Sequence, residues 1–415
     1  ARRRWQGGSM NPLRERYDVA IVGAGVIGSA LAMALGERGL RSALIDLDLS
    51  GRLSSSERNA GGVRATWWQP VNIALCRASI RYYESIRAEV GFRQKGYLIL
   101  YDDARWEEAL RMIPVQRELD HPIETLTATE VAQRVPEIDH LDGIAGATFS
   151  AGDGLINPNL LKLHYREKAR ESGAQLIDAT YVYAIETAGT GVRLACWHSD
   201  AALNDVELDR MLTQDGPGEP ALGRLLEIAA DAVAITVGAW APNVLKLVGL
   251  DSPTRAVRRQ LCTVDCRATN LEPYGMIFDT SGVYFHNDGP HILAGYSPPE
   301  EPAGYSFKFD GEEFFQREIW PRMYARASCF ERVRYLNGWA GLYEMTPDRS
   351  GIVGRARDRV FEAHSFSAHG VMQSYAVGQA LANLIATGSY GRLDASALRR
   401  ERFTSGPLMY EELHW

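Results

Sequence analysis

The sequence predicts an α/β protein (α+β overall): a nucleotide-binding domain opened by a βαβ unit, sharing its chain with a discontinuous second domain built on an antiparallel sheet. Three observations predict it. A short apolar run at 17–22 (Y-D-V-A-I-V) leads directly into Gly23-Ala24-Gly25-Val26-Ile27-Gly28. Small and apolar residues at 29–38 then read as a helix, Gly39 ends it, and 42–47 reads as a second strand. This is a βαβ unit about 30 residues long. Further along, 231–237 (D-A-V-A-I-T-V) and 361–367 are buried-strand runs, and a helix of small residues follows at 373–387. Between those runs, 254–309 holds short strand patterns separated by Gly, Asn, Asp and Pro turns, the pattern of antiparallel pairing.

The remaining elements follow in order. Residues 50–64 are rich in Ser, Gly and Arg and read as a loop, and 72–90 as a helix. Strand and helix signals alternate over 96–136, 153–158 is a turn, 159–172 an amphipathic helix, and 175–186 a strand pair. The polar, acidic stretch 198–220 reads as a surface insertion between two strands, and 312–328 as a helix. The expected division is an N-terminal arm at 1–16 and a nucleotide domain from 17–84, 150–240 and 338–400. The second, substrate domain takes 85–149 and 241–337, and 401–415 is a tail.

Composition narrows the function classes. The 415 residues are 46% hydrophobic and 23% charged, an ordinary globular balance, and the net charge is -7. A nucleic-acid binder would show a basic excess instead, so no nucleic acid is expected. Five cysteines are too few and too scattered for a disulfide framework. Cys262 and Cys266 sit four apart with no second pair at zinc spacing, so no metal is expected; free thiols suit a reducing cytoplasm. No run of 18 or more apolar residues occurs, so no membrane span is expected. The Arg-rich start at 1–9 has no apolar segment behind it and reads as an arm ahead of Met10.

Gly23, Gly25 and Gly28 form G-x-G-x-x-G, framed by Ala24, Val26 and Ile27. In such a turn the first glycine permits the bend, the second admits a pyrophosphate to the backbone, and the third lets helix pack on strand. The pyrophosphate meets the helix N-terminus. Asp46, beside Leu47 at the end of the next strand, is placed to accept from ribose hydroxyls. The motif alone leaves FAD and NAD both open.

Further segments choose between them. These are Gly338-Trp339-Ala340-Gly341-Leu342-Tyr343-Glu344-Met345-Thr346-Pro347-Asp348, then Ile352-Val353-Gly354, then Ser365-Phe366-Ser367-Ala368-His369-Gly370-Val371-Met372. Together with the glycine turn, 153–158 and Thr236-Val237-Gly238-Ala239-Trp240, they resemble the FAD-dependent D-amino-acid oxidase superfamily. Within it the chain looks most like the sarcosine oxidase and dimethylglycine dehydrogenase branch. The resemblance implies a Rossmann-like FAD-binding domain and oxidation of a small amine or amino acid by hydride transfer to flavin N5. N-methyl and secondary amino acids are the favoured substrates. It implies that Val182 holds adenine through its backbone, and that Thr236, Gly238 and Trp240 lie beneath the pyrophosphate and ribitol. The loop 54–62, with Ser55, Gly61 and Gly62, would wrap the flavin, and Gly341 and Leu342 would border it. Gly370, Val371, Met372 and Gln373 open a helix whose N–H groups suit negative charge at the flavin edge.

Arg64 falls where relatives keep an arginine that grips the substrate carboxylate; the alternative is a structural arginine paired with an acid or touching flavin. Tyr343, Trp67 and Trp68 read as cavity or as core residues, and Tyr284 and His286 as lying on a strand bordering the site. His369 reads as holding the loop. Three departures matter. Gly341 stands where some relatives have a flavin-linked cysteine, so FAD is expected to be non-covalent. Met372 stands where they have a carboxylate-binding lysine. Leu293 stands where they place a lysine that speeds reaction with oxygen, which favours a dehydrogenase passing electrons to another acceptor. Two alternatives stay open. The W-A-G-L-Y-x-x-T-P-D pattern is similar to β subunits of multi-subunit sarcosine oxidases, implying a flavin-bearing subunit with a partner. Arg64, Pro70, Asn72 and Ile73 also resemble a family of FAD-bearing assembly factors without catalysis. Acid precipitation checks the non-covalent assignment: FAD is expected in the supernatant, and colour held in the pellet would overturn it.

Overall fold

The computed structural model describes residues 11–189, 191–213 and 223–411. The arm read at 1–9 lies outside the described residues, as does the 214–222 part of the acidic insertion.

Strand Asn11–Val22 lies at the centre of the first sheet, parallel to Ser42–Ile45 on one side and Arg224–Ile235 on the other. The order is Ile352–Arg357, Val360–His364, Arg224–Ile235, Asn11–Val22, Ser42–Ile45, Gln175–Ile177. Strands Thr180–Ala188 and Gly191–His198 extend it antiparallel from Arg224–Ile235. The central strands are apolar because both faces are covered. Helices Val26–Gly36, Pro158–Glu171 and Gly370–Thr387 pack together there, and small residues allow it: a Cβ on Gly378 would lie 2.8 Å from the Ala30 carbonyl.

The opening strand starts earlier than its apolar run. Residues 11–16, expected as part of an arm, belong to it, because the long strand Arg224–Ile235 offers backbone partners as far as Leu226 opposite Asn11. Ladder hydrogen bonds need no apolar side chain. The expected helix at 72–90 is two helices, Pro70–Ser85 and Arg87–Val90, closed by Gly91 at φ 61°. The expected helix at 312–328 breaks into Gly311–Phe314, a π turn at Phe315–Ile319, and Trp320–Arg326, with Pro321 in the first turn of the last. The acidic insertion is more than surface. Its helix Asp205–Thr213 buries Leu208 and Met211 against Leu47, Leu53 and Trp197.

The second sheet runs Arg334–Met345, Arg255–Asp265, His291–Tyr296, Tyr284–Asp288, Met276–Phe278, Tyr97–Tyr101, Gly146–Ser150, Glu124–Leu126. It is antiparallel except where Met276–Phe278 meets Tyr97–Tyr101. Strand Arg334–Met345 pairs with Arg255–Asp265 along its whole length. Residues 338–345, expected in the nucleotide domain, therefore run in the second sheet before the chain crosses to Ile352–Arg357. A short ribbon of Gly62–Val63 and Gly154–Leu155 lies between the sheets. The five cysteines are free, and no helix of the described residues is long and apolar enough to cross a membrane.

The T-P-D segment ties down the chain's end. Arg402 donates to both carboxylate oxygens of Asp348, at 2.7 and 3.0 Å, and both side chains are buried. The Met409 N–H also donates to Asp348, at 2.9 Å. Arg402→Met leaves that carboxylate buried and unpaired, and is expected to cost about 3–5 kcal/mol in urea unfolding.

Candidate active site

The glycine turn is interlocked with the neighbouring strand. Gly23 has φ +100°, and a Cβ there would sit 2.6 Å from the Thr236 carbonyl oxygen. A Cβ on Gly28 would sit 1.9 Å from the Gly23 oxygen. Thr236 Oγ1 donates to that same oxygen at 2.7 Å. Gly25 differs: the nearest group to its Cβ would be Ser56 Oγ at 3.3 Å, and its open side faces a cavity. Asp46 accepts the Ala24 N–H at 2.5 Å and the Asp48 N–H at 3.2 Å. Burial raises its pKa above the ordinary carboxylate value.

The cavity, about 460 Å³, starts at this turn and reaches the space between the two sheets. Of the expected cofactor residues, Gly23, Gly25, Val26, Ile27, Asp46, Leu47, Ser55, Gly62 and Val182 line it, as do Thr236, Gly238, Trp240, Gly341, Leu342, Gly370, Val371 and Met372. Four do not. Ala24 and Gly28 support the turn from behind. A Cβ on Gly61 would be 2.4 Å from the Ile156 oxygen, so its φ of +70° serves packing within the chain. Gln373 is turned to Asn72, its amide donating at 3.1 Å. Gly62 lines the cavity, yet the group it lets approach is the Tyr97 hydroxyl, 1.9 Å from where its Cβ would be.

Backbone conformation prepares the far wall. Ser365, Ser367 and Ala368 hold φ of 63°, 49° and 78°, a left-handed run that costs L residues about 1–3 kcal/mol each. Glu344 holds it, accepting the Phe366 N–H at 3.1 Å on Oε1 and the Ser367 N–H at 3.2 Å on its carbonyl. Helix Gly370–Thr387 then starts with its first-turn N–H groups at the cavity. Glu344 itself was not foreseen from the sequence. Its Oε2 is buried and meets no protein donor, and burial raises its pKa; a Cβ on Gly238 would be 2.6 Å from that oxygen.

Of the expected catalytic residues, Arg64, Trp67, Tyr284 and Tyr343 line the inner chamber. His286 does not: it is buried within its sheet, with Nδ1 2.9 Å from the Asn287 carbonyl, and burial lowers its pKa. It shares the Tyr284 face of the strand, but lies two residues further along, beside the Ala60 backbone and outside the chamber. Arg64 is 4% exposed, with its guanidinium 3.8 Å over the Trp67 ring and 5.4 Å over Phe278. The cation that Trp67 faces is therefore Arg64, and its indole N–H donates to the Arg64 carbonyl at 3.1 Å. Trp68 packs instead with Ile99 and Tyr101, away from the cavity. His369 packs against Trp67 at 3.8 Å between centroids, the rings tilted by 48°. Sequence reasoning also missed Tyr97, Phe278 and Arg259, which line the chamber from the second sheet. Only strand register places them.

Two distant carboxylates hold the Arg64 segment. Asp153 accepts from the Ala65 N–H at 2.9 Å and the Thr66 hydroxyl at 2.8 Å. Glu411 accepts from the Trp68 and Gln69 N–H groups at 2.8 and 3.1 Å and from Asn72 at 3.2 Å.

A glycine turn at a helix start, opening into a buried chamber of arginine and aromatic side chains, defines a dinucleotide-dependent oxidoreductase. Residues 18–384 match the family described as FAD dependent oxidoreductase (DAO), and the chain belongs to that family. Its cofactor is FAD, which the cradle at Gly25, Asp46 and Gly370 fits. Relatives include FAD-dependent oxidoreductase domain-containing protein 1 of Xenopus laevis, 27% identical over 94% of this chain and 83% of that one. Glycine oxidase of Geobacillus kaustophilus is 24% identical over 90% and 94%. Among solved structures, L-proline dehydrogenase from P. horikoshii shares the fold with a TM-score of 0.80, 23% identity, and coverage of 94% and 98%. Iminodiacetate oxidase from Chelativorans sp. BNC1 has a TM-score of 0.72 at 20% identity, covering 92% and 98%.

Two predictions follow from this geometry. Asp46→Ala removes the carboxylate that ties the glycine turn to the end of the next strand and is expected to weaken FAD binding at least tenfold in fluorescence titration, about 1.4 kcal/mol. Burial pushes the Glu411 carboxyl from its ordinary 4.5 up to about 7. Between those values the folded chain binds more protons than the unfolded one, so stability falls as pH rises through that window and stays lowered above it. Glu411→Gln is expected to flatten this slope in urea unfolding between pH 5 and 7; an unchanged slope would assign it to other groups.

Proposed function

We propose that this chain holds FAD without a covalent link and oxidises the C–N bond of a small amine or amino acid, a secondary or N-methyl amino acid being favoured. The observation that carries the proposal is Arg64: a guanidinium taken from water, seated on Trp67 and Phe278, and lining the same cavity as the cofactor cradle. Burial lowers its pKa, against the pull of Tyr97 and Tyr101. A planar guanidinium takes a carboxylate bidentately. The names of the relatives agree in type, since glycine, L-proline and iminodiacetate are all amino acids or close kin.

Each residue has a task in this reading. Arg64 binds the substrate carboxylate and fixes which carbon faces the cofactor. Trp67 and Phe278 hold Arg64 and exclude water from it. Tyr284, hydrogen-bonded to Tyr343 and kept neutral by burial, bounds the chamber. The N-terminus of helix Gly370–Thr387, whose first residues line the cavity, would offer its positive end to negative charge on the bound cofactor. FAD, when bound, supplies the two-electron oxidant. Leu293 belongs to an apolar cluster with Tyr97, Leu261, Met276 and Tyr284. The lack of a cation at this position supports a dehydrogenase that uses an acceptor other than oxygen.

Anaerobic bleaching of the flavin band by N-methylglycine, proline or glycine tests the reading; silence across amines and amino acids would overturn it. Arg64→Met is expected to keep FAD but raise KM roughly 30-fold or more, the effect of losing about 2 kcal/mol or more of a buried charge pair. Dye-linked turnover is expected to exceed oxygen-linked turnover.

A further inference from the structure

Arg259 has no part in the function proposed above. It lies on strand Arg255–Asp265 beside Arg258, and strand alternation sends the two side chains to opposite faces. Arg258 turns to carboxylates, with Glu301 at 2.7 Å and Asp310 at 2.9 Å. Arg259 turns inward and lines the same cavity as Arg64. One Nη1–H reaches the Arg258 carbonyl at 3.0 Å. Its Nε–H is buried and meets no acceptor. Among the described residues, no carboxylate lies within 4.0 Å of its guanidinium. Burial lowers its pKa, as it does for Arg64. A desolvated guanidinium without a counter-charge is costly, and an anion supplied by a ligand would relieve that cost.

The aromatic wall places the two cations relative to one another. Arg64 lies over Phe278 at 5.4 Å, and Phe278 stacks on Tyr284 at 5.0 Å and 27°. Tyr284 hydrogen-bonds Tyr343, and Arg259 lies over the Tyr343 ring at 5.3 Å. The two guanidinium groups are therefore linked through a continuous chain of ring contacts along the wall of one cavity. We propose that Arg259 is a second carboxylate-binding residue and that the preferred substrate is an amine bearing two carboxylates, one for each arginine. The proposal rests on the reading of the site as an amino-acid oxidising one. A monocarboxylate would engage Arg64 alone and leave Arg259 uncompensated; a dicarboxylate neutralises both and spans the wall between them.

The test uses the holoprotein under anaerobic conditions, following perturbation of flavin absorbance by iminodiacetate, N-methylaspartate and N-methylglycine. At least one dicarboxylate is expected to bind tenfold or more tightly than N-methylglycine. Arg259→Met is expected to abolish that preference while FAD content and N-methylglycine binding stay within about threefold, and Arg259→Lys to restore part of it. Equal binding of mono- and dicarboxylates by the wild-type protein would overturn the proposal without need of any variant. So would equal weakening of all three ligands in Arg259→Met, or loss of FAD from it, either of which would assign Arg259 to the cofactor or to the fold. Bleaching separates the two levels. Dicarboxylates that bind tightly through Arg259 but bleach nothing would retain the two-carboxylate site and remove the oxidation reading. Bleaching by N-methylglycine with no preference for dicarboxylates would do the reverse.

Discussion

The hydrogen bond from Thr236 Oγ1 to the Gly23 carbonyl, 2.7 Å long, joins the ends of two parallel strands to the start of the first helix. A side chain at Gly23 or Gly28 would strike the Thr236 backbone or the Gly23 oxygen. The turn can therefore close only in this form, and the helix dipole can point only at the cavity. Asp46 is tied to the same turn through the Ala24 N–H. Everything that approaches the cofactor is positioned from this knot outward.

The inner chamber is assembled from chain segments hundreds of residues apart. The Arg64 segment has little regular structure of its own, only the two-residue ribbon with Gly154–Leu155. It keeps its place because Asp153 and Glu411 satisfy its backbone donors from either side. Glu411 is reachable because the Asp348–Arg402 pair anchors the tail that carries it. A buried ion pair outside the chamber thus supports, through Glu411, the segment that carries Arg64.

Several charged groups around the cavity are taken out of water by burial. Arg64 and Arg259 are desolvated cations, Asp46 and Glu344 desolvated acids, and three non-glycine residues before the last helix have left-handed backbones. Elsewhere in the core, charges such as Arg402 and Asp348 are paired. Strain and desolvated charge gathered at one cavity are what a binding site preserves at the expense of stability.

The nucleotide half was legible in the sequence because its chemistry is local. G-x-G-x-x-G, the acid at the next strand end and the small-residue helix after Ser365 lie on contiguous segments, and the backbone geometry they require excludes most other residues. Residues 11–16 were misjudged because ladder bonds do not depend on side-chain polarity. The chamber was legible only in part. Arg64 and Tyr343 were named from resemblance and Trp67 and Tyr284 from their place in the sequence, whereas His286, on the same strand face as Tyr284, lies beyond the chamber, and Arg259, Phe278 and Tyr97 went unnoticed. A strand's period of two gives each residue one of two faces, and a one-residue change of register exchanges them. By itself, then, the sequence determined the class of fold and the cofactor cradle, which depend on local steric demands. Which side chains meet between the two sheets was decided by the tertiary structure, because pairing of strands far apart in the chain sets that register.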